Sequence, residues 1–589
     1  MRQGRDKVRA IAQSRAKAAR ALGAALLLLP VAAFAAPIER NPAPTGTTSA
    51  PVQLTAPPNV TPETADPTPI AGALRAVRFL GPETAVRAPG KISAGVDTGA
   101  LATLDDPAFR ARIAPYLGQP ISMRLIGRIE AAVAGWYAER GLPFVSVTTP
   151  PQEVTGGVLQ FRVTEFRLGT RRAQTTGQMT QAEALTGIRA QPGQAINTDQ
   201  LAEDLDWLSR SPFRDVDARF APGAETGQTD LTLSVTETKP WQLSAQVDNS
   251  GARSTGTNRV QLGAMVGDFW RPGAVLSYAF TASPDAFQKG AMPFGGHPDY
   301  ASHALSLHLP TVPRQAIEAR FDVVESNSYS FPFDTRSRVL EGQIGYRFAA
   351  SALGLKPGSG DLYGGIEMRH ALAQTRFGGT KVSDLTADVA QLYLGWSRER
   401  IADGAKTSAR VEMRLSPGGM GGDNSDADFA AYSGGRVTTS RYAYAAVSLS
   451  RSMPIGKTAR LTSGVSMQLA SAALLDTEQF TLGGAGAVRG YIPDDGAFDS
   501  AAIWRNTLSG ATMPVGKSIA LTPYLSADLG YGRDRGTGSG QGMASVGAGA
   551  WIALPHNVNA SLGAAVALRD ADITQAGDLR VEFKLSAGF

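Results

Sequence analysis

The sequence predicts a mixed fold: two small α+β modules, each in the order β-α-α-β-β, followed by a transmembrane antiparallel β-barrel of about 16 strands. Three observations support this prediction. Apolar residues at helical spacing are confined to the first part of the chain. From about Trp241 to Phe589, two-residue alternation replaces helical spacing. Segments rich in Gly and Asp separate the alternating runs, as turns between strands do.

The chain opens with seven Lys or Arg residues and one Asp in its first 20 positions, a net charge of +6, so the remainder carries 5 − 6 = −1. A nearly neutral remainder offers no electrostatic footprint for DNA or RNA. An apolar stretch, Ala21–Phe34, and the small-residue site Ala33-Phe34-Ala35 follow, which predicts a secretory signal peptide at residues 1–35. The alternative, a membrane-anchoring helix, needs an apolar run of ~20 residues, and this one is shorter.

Residues 36–72 are predicted to be a disordered linker, because Pro37–Pro69 is rich in Pro, Thr and Ala and lacks aromatic residues. The first module is assigned to residues 73–166. Its main helix is expected to begin at the N-cap Ser122 and to stop at Gly141. The apolar residues at helical spacing that predict this helix are Leu125, Ile129, Val133 and Trp136.

The second module is assigned to residues 167–238. A short helix is expected at Met179–Arg189 and a longer one at Asn197–Leu208, in which Asn197 and Gln200 are placed like a capping box. Leu201, Leu205 and Leu208 form the apolar face of the longer helix. Strands are expected at Arg167–Arg172, Val216–Phe220 and Leu231–Val235.

The barrel is assigned to residues 239–589. Its strands approach the ~10 residues that a tilted strand needs to cross a bilayer. Only a closed sheet satisfies every backbone group in lipid. Charged residues such as Arg410, Glu412 and Arg414 alternate with Val411 and Met413, which suits a polar lumen and a lipid-facing exterior. A soluble β-sandwich, which shows the same alternation locally, is the alternative.

Residue chemistry gives no indication of an enzyme or a cofactor. The five histidines are scattered without metal-ligand spacing, and the chain has no cysteine. The Gly-rich segment Gly483–Gly490 is followed by Tyr491-Ile492-Pro493 and not by a helix, so its context does not fit a dinucleotide site. Gly538-Ser539-Gly540 lacks the nucleophile-elbow pattern.

One long connection between strands, around Phe480–Tyr491, contains four glycines and carries Val488, Arg489, Gly490 and Tyr491. Taken alone it fits a surface loop with a solvated Arg. The motif, preceded by Phe480-x-Leu482-Gly483-Gly484, resembles the hallmark loop of the haemolysin and filamentous-adhesin secretion proteins. These are the outer-membrane transporters of two-partner secretion, within the barrel-assembly superfamily. The resemblance covers about Leu74 to Phe589.

The resemblance extends to the barrel wall and to both modules. Asp528 and Gly530 match a wall motif whose first position is usually aromatic in the family, whereas this chain has Ser526. The two modules resemble polypeptide-transport-associated (POTRA) domains. Segments that carry this likeness are Tyr137–Pro143, Pro151–Glu153, Val163–Glu165, Ser211–Arg214 and Pro222–Gly223, and Asp248–Gly251 resembles the first barrel strand of the secretion transporters. Many relatives carry an N-terminal plug helix, but Pro37–Pro69 does not favour one of useful length.

The resemblance implies that an exported polypeptide, such as a large adhesin or haemolysin, is captured in the periplasm by the two POTRA domains. It then passes through the barrel of an outer-membrane monomer without ATP. The loop is expected to fold into the lumen, with Arg489 paired to Asp528. The alternative function is that of an assembly factor that inserts other barrels. A passive porin ranks third, because the two modules argue against it.

Overall fold

The computed structural model describes residues 66–589, apart from 90, 91, 226, 294 and 331, and it does not describe the side chain of Ser330. The predicted signal peptide, most of the predicted linker and most of Pro37–Pro69 lie outside the described residues. The described residues divide into two compact units: one contains residues 66–210 with Arg214–Thr238, and the other contains Ser211–Phe213 with Lys239–Phe589.

A four-stranded sheet with the order β3-β2-β6-β5 forms the base of the first module. Strand β2 runs parallel to both β3 and β6, and β5 pairs antiparallel with β6. The elements of the module are β1 (Pro69–Ala73), β2 (Ala76–Leu80), β3 (Gly95–Asp97), α1 (Pro107–Ile113), β4 (Pro120–Ser122), α2 (Met123–Glu139), β5 (Val145–Thr148) and β6 (Val158–Glu165).

The main helix of the first module, α2, confirms the helix predicted from apolar spacing. Ser122 is its N-cap, and the Ser122 hydroxyl accepts a hydrogen bond from the Leu125 amide at 3.2 Å. The predicted apolar face packs against Phe79 and Phe161 of the sheet. Because a buried aromatic or aliphatic side chain contributes roughly 1.5–3 kcal/mol, this face is the main source of the helix's stability.

The first helix of this module, α1, was not located from the sequence. It begins at Pro107, which suits a first helical position, and Asp106 accepts a hydrogen bond from the Ala108 amide at 2.7 Å. Only two of its side chains, Phe109 and Ile113, are buried. Two apolar positions in seven residues are too few for a periodic pattern to stand out.

A three-stranded sheet with the order β7-β9-β8 forms the second module. Asn197 caps α4 as predicted, and its Oδ1 accepts a hydrogen bond from the Gln200 amide at 3.0 Å. The helix predicted at Met179–Arg189 is shorter in the structure, where it is α3. A capping box formed by Thr180 and Glu183 precedes its first residue, Gln181. The elements are β7 (Arg167–Thr176), α3 (Gln181–Thr186), α4 (Thr198–Leu208), β8 (Arg214–Pro222) and β9 (Gln228–Glu237).

The linker boundary needs a correction at its C-terminal end. Residues 69–72 were assigned to the linker, but they belong to β1, which pairs antiparallel with β4. The backbone of Pro69–Ala73 thus finds its hydrogen-bonding partners within the first module. Among the described residues, no helix is long and apolar enough to cross a membrane.

Seventeen strand segments close into the barrel, and two of them, β23 and β24, pair with the same edge of β25, so the barrel has 17 − 1 = 16 antiparallel strands. The fold class is therefore confirmed. The barrel segments are β10 (Trp241–Asp248), β11 (Arg259–Gly267), β12 (Val275–Ala282), β13 (Tyr300–Pro310), β14 (Gln315–Ser330), β15 (Phe333–Ala349), β16 (Asp361–Phe377), β17 (Thr380–Ala402), β18 (Ala405–Ser416), β19 (Tyr442–Ile455), β20 (Ala459–Ala470), β23 (Ser500–Ser509), β24 (Met513–Val515), β25 (Ile519–Arg533), β26 (Gly540–Leu554), β27 (Val558–Ala567) and β28 (Leu579–Gly588).

The connections contain 3-10 helices at Ala350–Leu353, Asp476–Glu478 and Pro493–Asp495, and four α-helical or strand elements. These four are α5 (Ala286–Lys289), α6 (Asp426–Tyr432), β21 (Phe480–Thr481) and β22 (Ala497–Phe498).

The two faces of the barrel wall separate as the alternation predicted. Val411 and Met413 on β18 are 42% and 57% exposed, whereas Glu412 between them is 2% exposed. An exposed apolar face with buried charges is the inverse of a soluble sheet and is typical of a wall that meets lipid outside and a polar lumen inside. The sandwich alternative is excluded by the closed ring, in which β28 pairs with β10.

Candidate functional site

The site is the connection between β20 and β23, residues 471–499, called here the lumen loop. Its two limbs are held together by the pairing of β21 with β22. Gly484 and Gly490 have φ angles of 120° and 87°, which L side chains rarely adopt, so glycine permits the sharp turns on either side of Val488 and Arg489. The sequence therefore folds this segment into a compact loop that presents a single Arg.

Arg489 and Asp528 meet in a bidentate ion pair. Arg489 Nε donates to Asp528 Oδ2 at 2.6 Å, and Nη2 donates to Oδ1 at 2.6 Å. The Arg489 amide also donates to Oδ2 at 3.2 Å. Asp528 is 1% exposed, on the inward face of β25. The pairing implied by the resemblance is therefore present, and the pair is buried, where charge-assisted hydrogen bonds are strong.

Gly530, the second residue of the wall motif, lies two residues after Asp528 on the same face. A Cβ atom there would come within 2.7 Å of Val488 Cγ2 and 3.0 Å of Leu482 Cδ1. The absence of a side chain at Gly530 thus makes room for the apolar base of the loop. This base is a cluster with Met543 and Ala567 of the wall, and Val488 is fully buried in it.

Tyr491 extends the attachment to the next strands. Its hydroxyl lies 2.9 Å from the carbonyl oxygens of Ala544 and Arg569 and 3.3 Å from their amides. A hydroxyl both donates and accepts, so it suits a position between β26 and the backbone that follows β27. The four residues of the predicted loop motif and both residues of the wall motif therefore come together in one site.

Ser526, the departure from the family pattern, supplies no ring beneath the loop. Tyr524, two residues earlier and on the same inward face of β25, stacks on Trp551 of β26 with 4.5 Å between ring centroids. An aromatic pair is thus present in this part of the lumen but is displaced along the strand.

Arg505 on β23 is a site residue that the sequence analysis missed. It is the cross-strand neighbour of Asp528. Its Nη1 donates to the carbonyl of Gly486 at 2.9 Å and its Nη2 to the carbonyl of Ala485 at 3.0 Å. Arg489 of the loop therefore binds the wall, and Arg505 of the wall binds the loop. The signal that could have found Arg505 is its inward position in an alternating strand.

A second attachment, at Glu478, was also missed. Glu478 forms an ion pair with Arg369 of β16, and the Arg369 Nη1 donates to the Thr477 carbonyl at 3.1 Å. Tyr444 Oη and Gln391 Nε2 donate to Glu478 Oε2 at 2.8 and 3.2 Å. Both Arg369 and Glu478 are buried on the lumen side. The loop thus contacts the wall at two separate places.

A third contact joins neighbouring connections. Asp499, at the end of the lumen loop, is fully buried and accepts hydrogen bonds from the Leu474 and Arg535 amides at 2.9 and 2.7 Å. Arg436, in the connection 417–441, lies 3.2 Å from Asp499 and 3.1 Å from Asp534, and it also donates to the Leu474 carbonyl. Three connections between strands are therefore tied together through one Arg.

The first module contains a polar contact between the buried Tyr137 and the half-buried Glu165. Tyr137 Oη donates to Glu165 Oε1 at 2.7 Å, and the Thr103 hydroxyl donates to the same oxygen at 2.9 Å. Burial raises the pKa of Tyr137 above its ordinary value, and the hydrogen bond to Glu165 raises this pKa further. These residues fix helix α2 to the end of β6.

Comparison with solved structures shows the fold. CdiB from Escherichia coli has a TM-score of 0.64 and 17% sequence identity, with 90% of this chain and 94% of that chain covered. CdiB from Acinetobacter baumannii has a TM-score of 0.60 and 16% identity, with 92% and 95% covered. The outer membrane transporter CdiB of Dickeya dadantii (strain 3937) is 23% identical over 419 residues, which is 68% of each chain.

Two family profiles match the sequence itself. The profile described as POTRA domain, ShlB-type, matches residues 95–165, within the first module. The profile described as haemolysin secretion/activation protein ShlB/FhaC/HecB matches residues 227–552, which is more than half of the chain and includes the whole lumen loop. The chain therefore belongs to the haemolysin secretion/activation protein family ShlB/FhaC/HecB.

Proposed function

We propose that this protein captures an exported polypeptide in the periplasm through two POTRA domains, residues 73–166 and 167–238, and secretes it through the barrel. Family membership makes it an outer-membrane transporter of two-partner secretion, with an exported polypeptide as its partner. The finer proposal is that the cargo is a large adhesin, a haemolysin or a similar protein, and that the transporter acts as a monomer. Passage needs neither a catalytic group nor a cofactor.

The observation that carries the proposal is the way the lumen loop is fixed. Its pairing with the wall consists of side-chain contacts, chiefly Arg489 with Asp528, and not of a continuous backbone ladder with the barrel strands. Such a loop can leave the lumen without breaking the barrel, whose own ladder closes independently. The outer strands of the module sheets, β5 and β8, have one edge unpaired in their sheets, and an extended polypeptide can pair with such an edge.

The test is deletion of residues 73–237 in the full transporter, expressed together with a cargo that the unmodified transporter secretes. We expect a heat-modifiable barrel in the outer membrane and no secreted cargo. Deletion of residues 73–166 alone tests whether secretion requires the first module. Normal cargo release from the larger deletion would contradict the proposal. The family match favours secretion over the alternative of a barrel-inserting assembly factor, so the levels of other outer-membrane proteins are expected to be unchanged in the deletion strain.

A further inference from the structure

The two attachments of the lumen loop occupy adjoining sectors of the barrel wall, and their outermost contacts face each other across the ring. Counting from β10, Arg369 is on the seventh of the 16 strands, β16. Gly490 lies against Ala565 on β27, the fifteenth strand. Strands eight positions apart in a closed ring of 16 face each other across its diameter. The loop therefore spans the lumen between these outermost contacts, with Glu478 at one end and Arg489 to Tyr491 at the other, while the inner contacts of the two ends lie on the adjacent strands β20 and β23.

The Glu478 end is seated on several strands of one wall. Besides Arg369, Tyr444 and Gln391, the Gln468 amide of β20 donates to the Glu478 carbonyl at 2.9 Å. The donors therefore come from β16, β17, β19 and β20, and Glu478 itself is 4% exposed. This seat is built from polar side chains that would line water if the loop left.

The two ends differ in the charged groups that would stay on the wall after the loop is released. Without Glu478, Arg369 keeps Glu367 at 2.7 Å and Glu341 at 3.1 Å as charge partners. Without Arg489, Asp528 keeps a 3.3 Å hydrogen bond from the Asn506 amide and its cross-strand neighbour Arg505, whose guanidinium donates to loop carbonyls, but it loses its bidentate ion pair. A buried charge that loses its partner is costly, whereas one that keeps two partners is not. Release of the Glu478 end is therefore the easier of the two.

From this asymmetry we infer that Glu478 is the releasable end of the bridge and that Arg489–Tyr491 is its fixed end. Detachment of Glu478 lets the loop swing about the β25–β27 wall and opens the lumen beside β16–β20. Arg369 and Glu478 are then positioning residues that set the fraction of time the pore is closed. The inference deepens the proposed function. It rests on that function only for the purpose that opening serves, because opening itself can be measured without cargo.

The first test measures the conductance of the purified full-length transporter in planar bilayers. Glu478→Gln keeps the shape of the side chain and removes its charge. We expect the ratio of open to closed time to rise about tenfold, the change that about 1.4 kcal/mol produces. Glu318→Gln is the matched control, because Glu318 lies on the barrel wall and pairs with Arg347 and His308 of the neighbouring strands.

The second test locks the Glu478 end reversibly. Because the chain has no cysteine, Gln391→Cys combined with Glu478→Cys places the only two thiols where two contacting side chains stood. A short bis-methanethiosulfonate linker should join them and close the pore, and a reductant should reopen it. The single Glu478→Cys variant, treated in the same way, should stay open, and the single Gln391→Cys variant, which keeps Glu478 and Arg369, should behave like the unmodified protein. This readout does not depend on whether Glu478→Gln alters folding, and heat modifiability of each variant reports barrel integrity.

The outcomes distinguish a failure of this inference from a failure of the proposed function. Frequent opening of Glu478→Gln, with closure by the linker, supports Glu478 as the releasable end even where secretion fails, in which case the proposed function is at fault. Unchanged conductance in a heat-modifiable Glu478→Gln variant, or a linked variant that opens as freely as the reduced one, overturns the inference. Opening by Arg489→Ala but not by Glu478→Gln would also overturn it, because the releasable end would then be the other one.

Discussion

Val488 lies directly over Gly530, so close that a Cβ atom at Gly530 would stand 2.7 Å from Val488 Cγ2. The contact joins the loop motif to the wall motif without any charge. It explains in steric terms why the wall carries glycine two residues after Asp528. It also makes the seat of the lumen loop sensitive to a single methyl group.

Gly530→Ala should therefore displace the lumen loop while the barrel still forms. Overpacking at a buried contact costs about 1–3 kcal/mol, and the apolar base of the loop can relieve that strain by moving away. We expect reduced cargo secretion and increased pore conductance. Secretion is measured in cells and conductance in planar bilayers, with the same variant.

The control for this prediction is Gly342→Ala on β15, where an added Cβ would meet no heavy atom within 4 Å. Both glycines lie in barrel strands, so the control separates a steric effect on the loop from a general effect on the sheet. Equal secretion by the two variants would show that the contact between Val488 and Gly530 does not hold the loop.

The pair formed by Arg489 and Asp528 should behave as one unit. Removal of one member leaves the other charge buried and unpaired, at a cost of about 3–5 kcal/mol. We expect Arg489→Ala and Asp528→Ala each to reduce secretion severely while barrel insertion persists. The double variant should be little worse than either single one, because the second change removes a charge that has already lost its partner.

An exposed pair provides the comparison. Lys381 and Asp384 on β17 lie 2.6 Å apart with side chains that are 52% and 38% exposed, and such surface pairs contribute less than ~1 kcal/mol. Lys381→Ala should leave secretion near the level of the unmodified protein. Additive losses in the Arg489 and Asp528 variants would mean that the two residues act separately.

The wall of the barrel could be predicted from sequence because its physical constraint is local. A strand between lipid and a polar lumen must alternate, so Val411, Glu412 and Met413 reveal their faces by position alone. The strand count follows from the regular spacing of the alternating runs. The helix α1 was missed for the opposite reason, since seven residues with two buried side chains carry little periodic signal.

The contacts of the lumen loop are a different case. Arg369 and Thr477 are 108 positions apart along the chain, and no spacing rule brings them together. The pairing of Arg489 with Asp528 was anticipated only through resemblance to a family. Arg505 and Arg436 were overlooked because a charged residue in an alternating strand or a loop is usually solvated. Only the closed ring determines which wall each residue faces.

Arg436 should keep the connection 417–441 folded against its neighbours. Its guanidinium contacts Asp499, Asp534 and the Leu474 carbonyl, and Phe429 and Val437 of the same connection are fully buried. Arg436→Ala leaves the buried Asp499 without this cation. We expect the connection to become sensitive to proteinase K on intact cells, with fragments that start near residues 417–441.

Arg441→Ala serves as the control, because Arg441 is an exposed residue at the end of the same connection. It removes the same charge without touching Asp499. Equal proteinase sensitivity of the two variants would show that the effect comes from loss of charge in the connection and not from the contact with Asp499.

Tyr137 should make the first module unstable at alkaline pH. Its pKa is raised above the ordinary value near 10, first by burial and then by the hydrogen bond to Glu165. Because the folded state holds the proton more tightly than the unfolded state, this contribution is fully present below pH 10 and is lost as the pH rises further. The free energy of unfolding of the helical modules, followed in urea by circular dichroism at 222 nm on the detergent-solubilised full chain, should therefore fall steeply above pH 10.

Tyr137→Phe tests the cause. At pH 7 it should destabilise the module by about 1.5–3 kcal/mol, the contribution of a hydrogen bond to a charged group. Above pH 10 the difference from the unmodified protein should shrink, because a phenylalanine side chain has no hydroxyl proton to lose. Tyr116→Phe, at a half-buried tyrosine of the same module, is the control and should leave the alkaline slope unchanged. A Tyr137→Phe variant with the full alkaline slope would show that another group causes the loss.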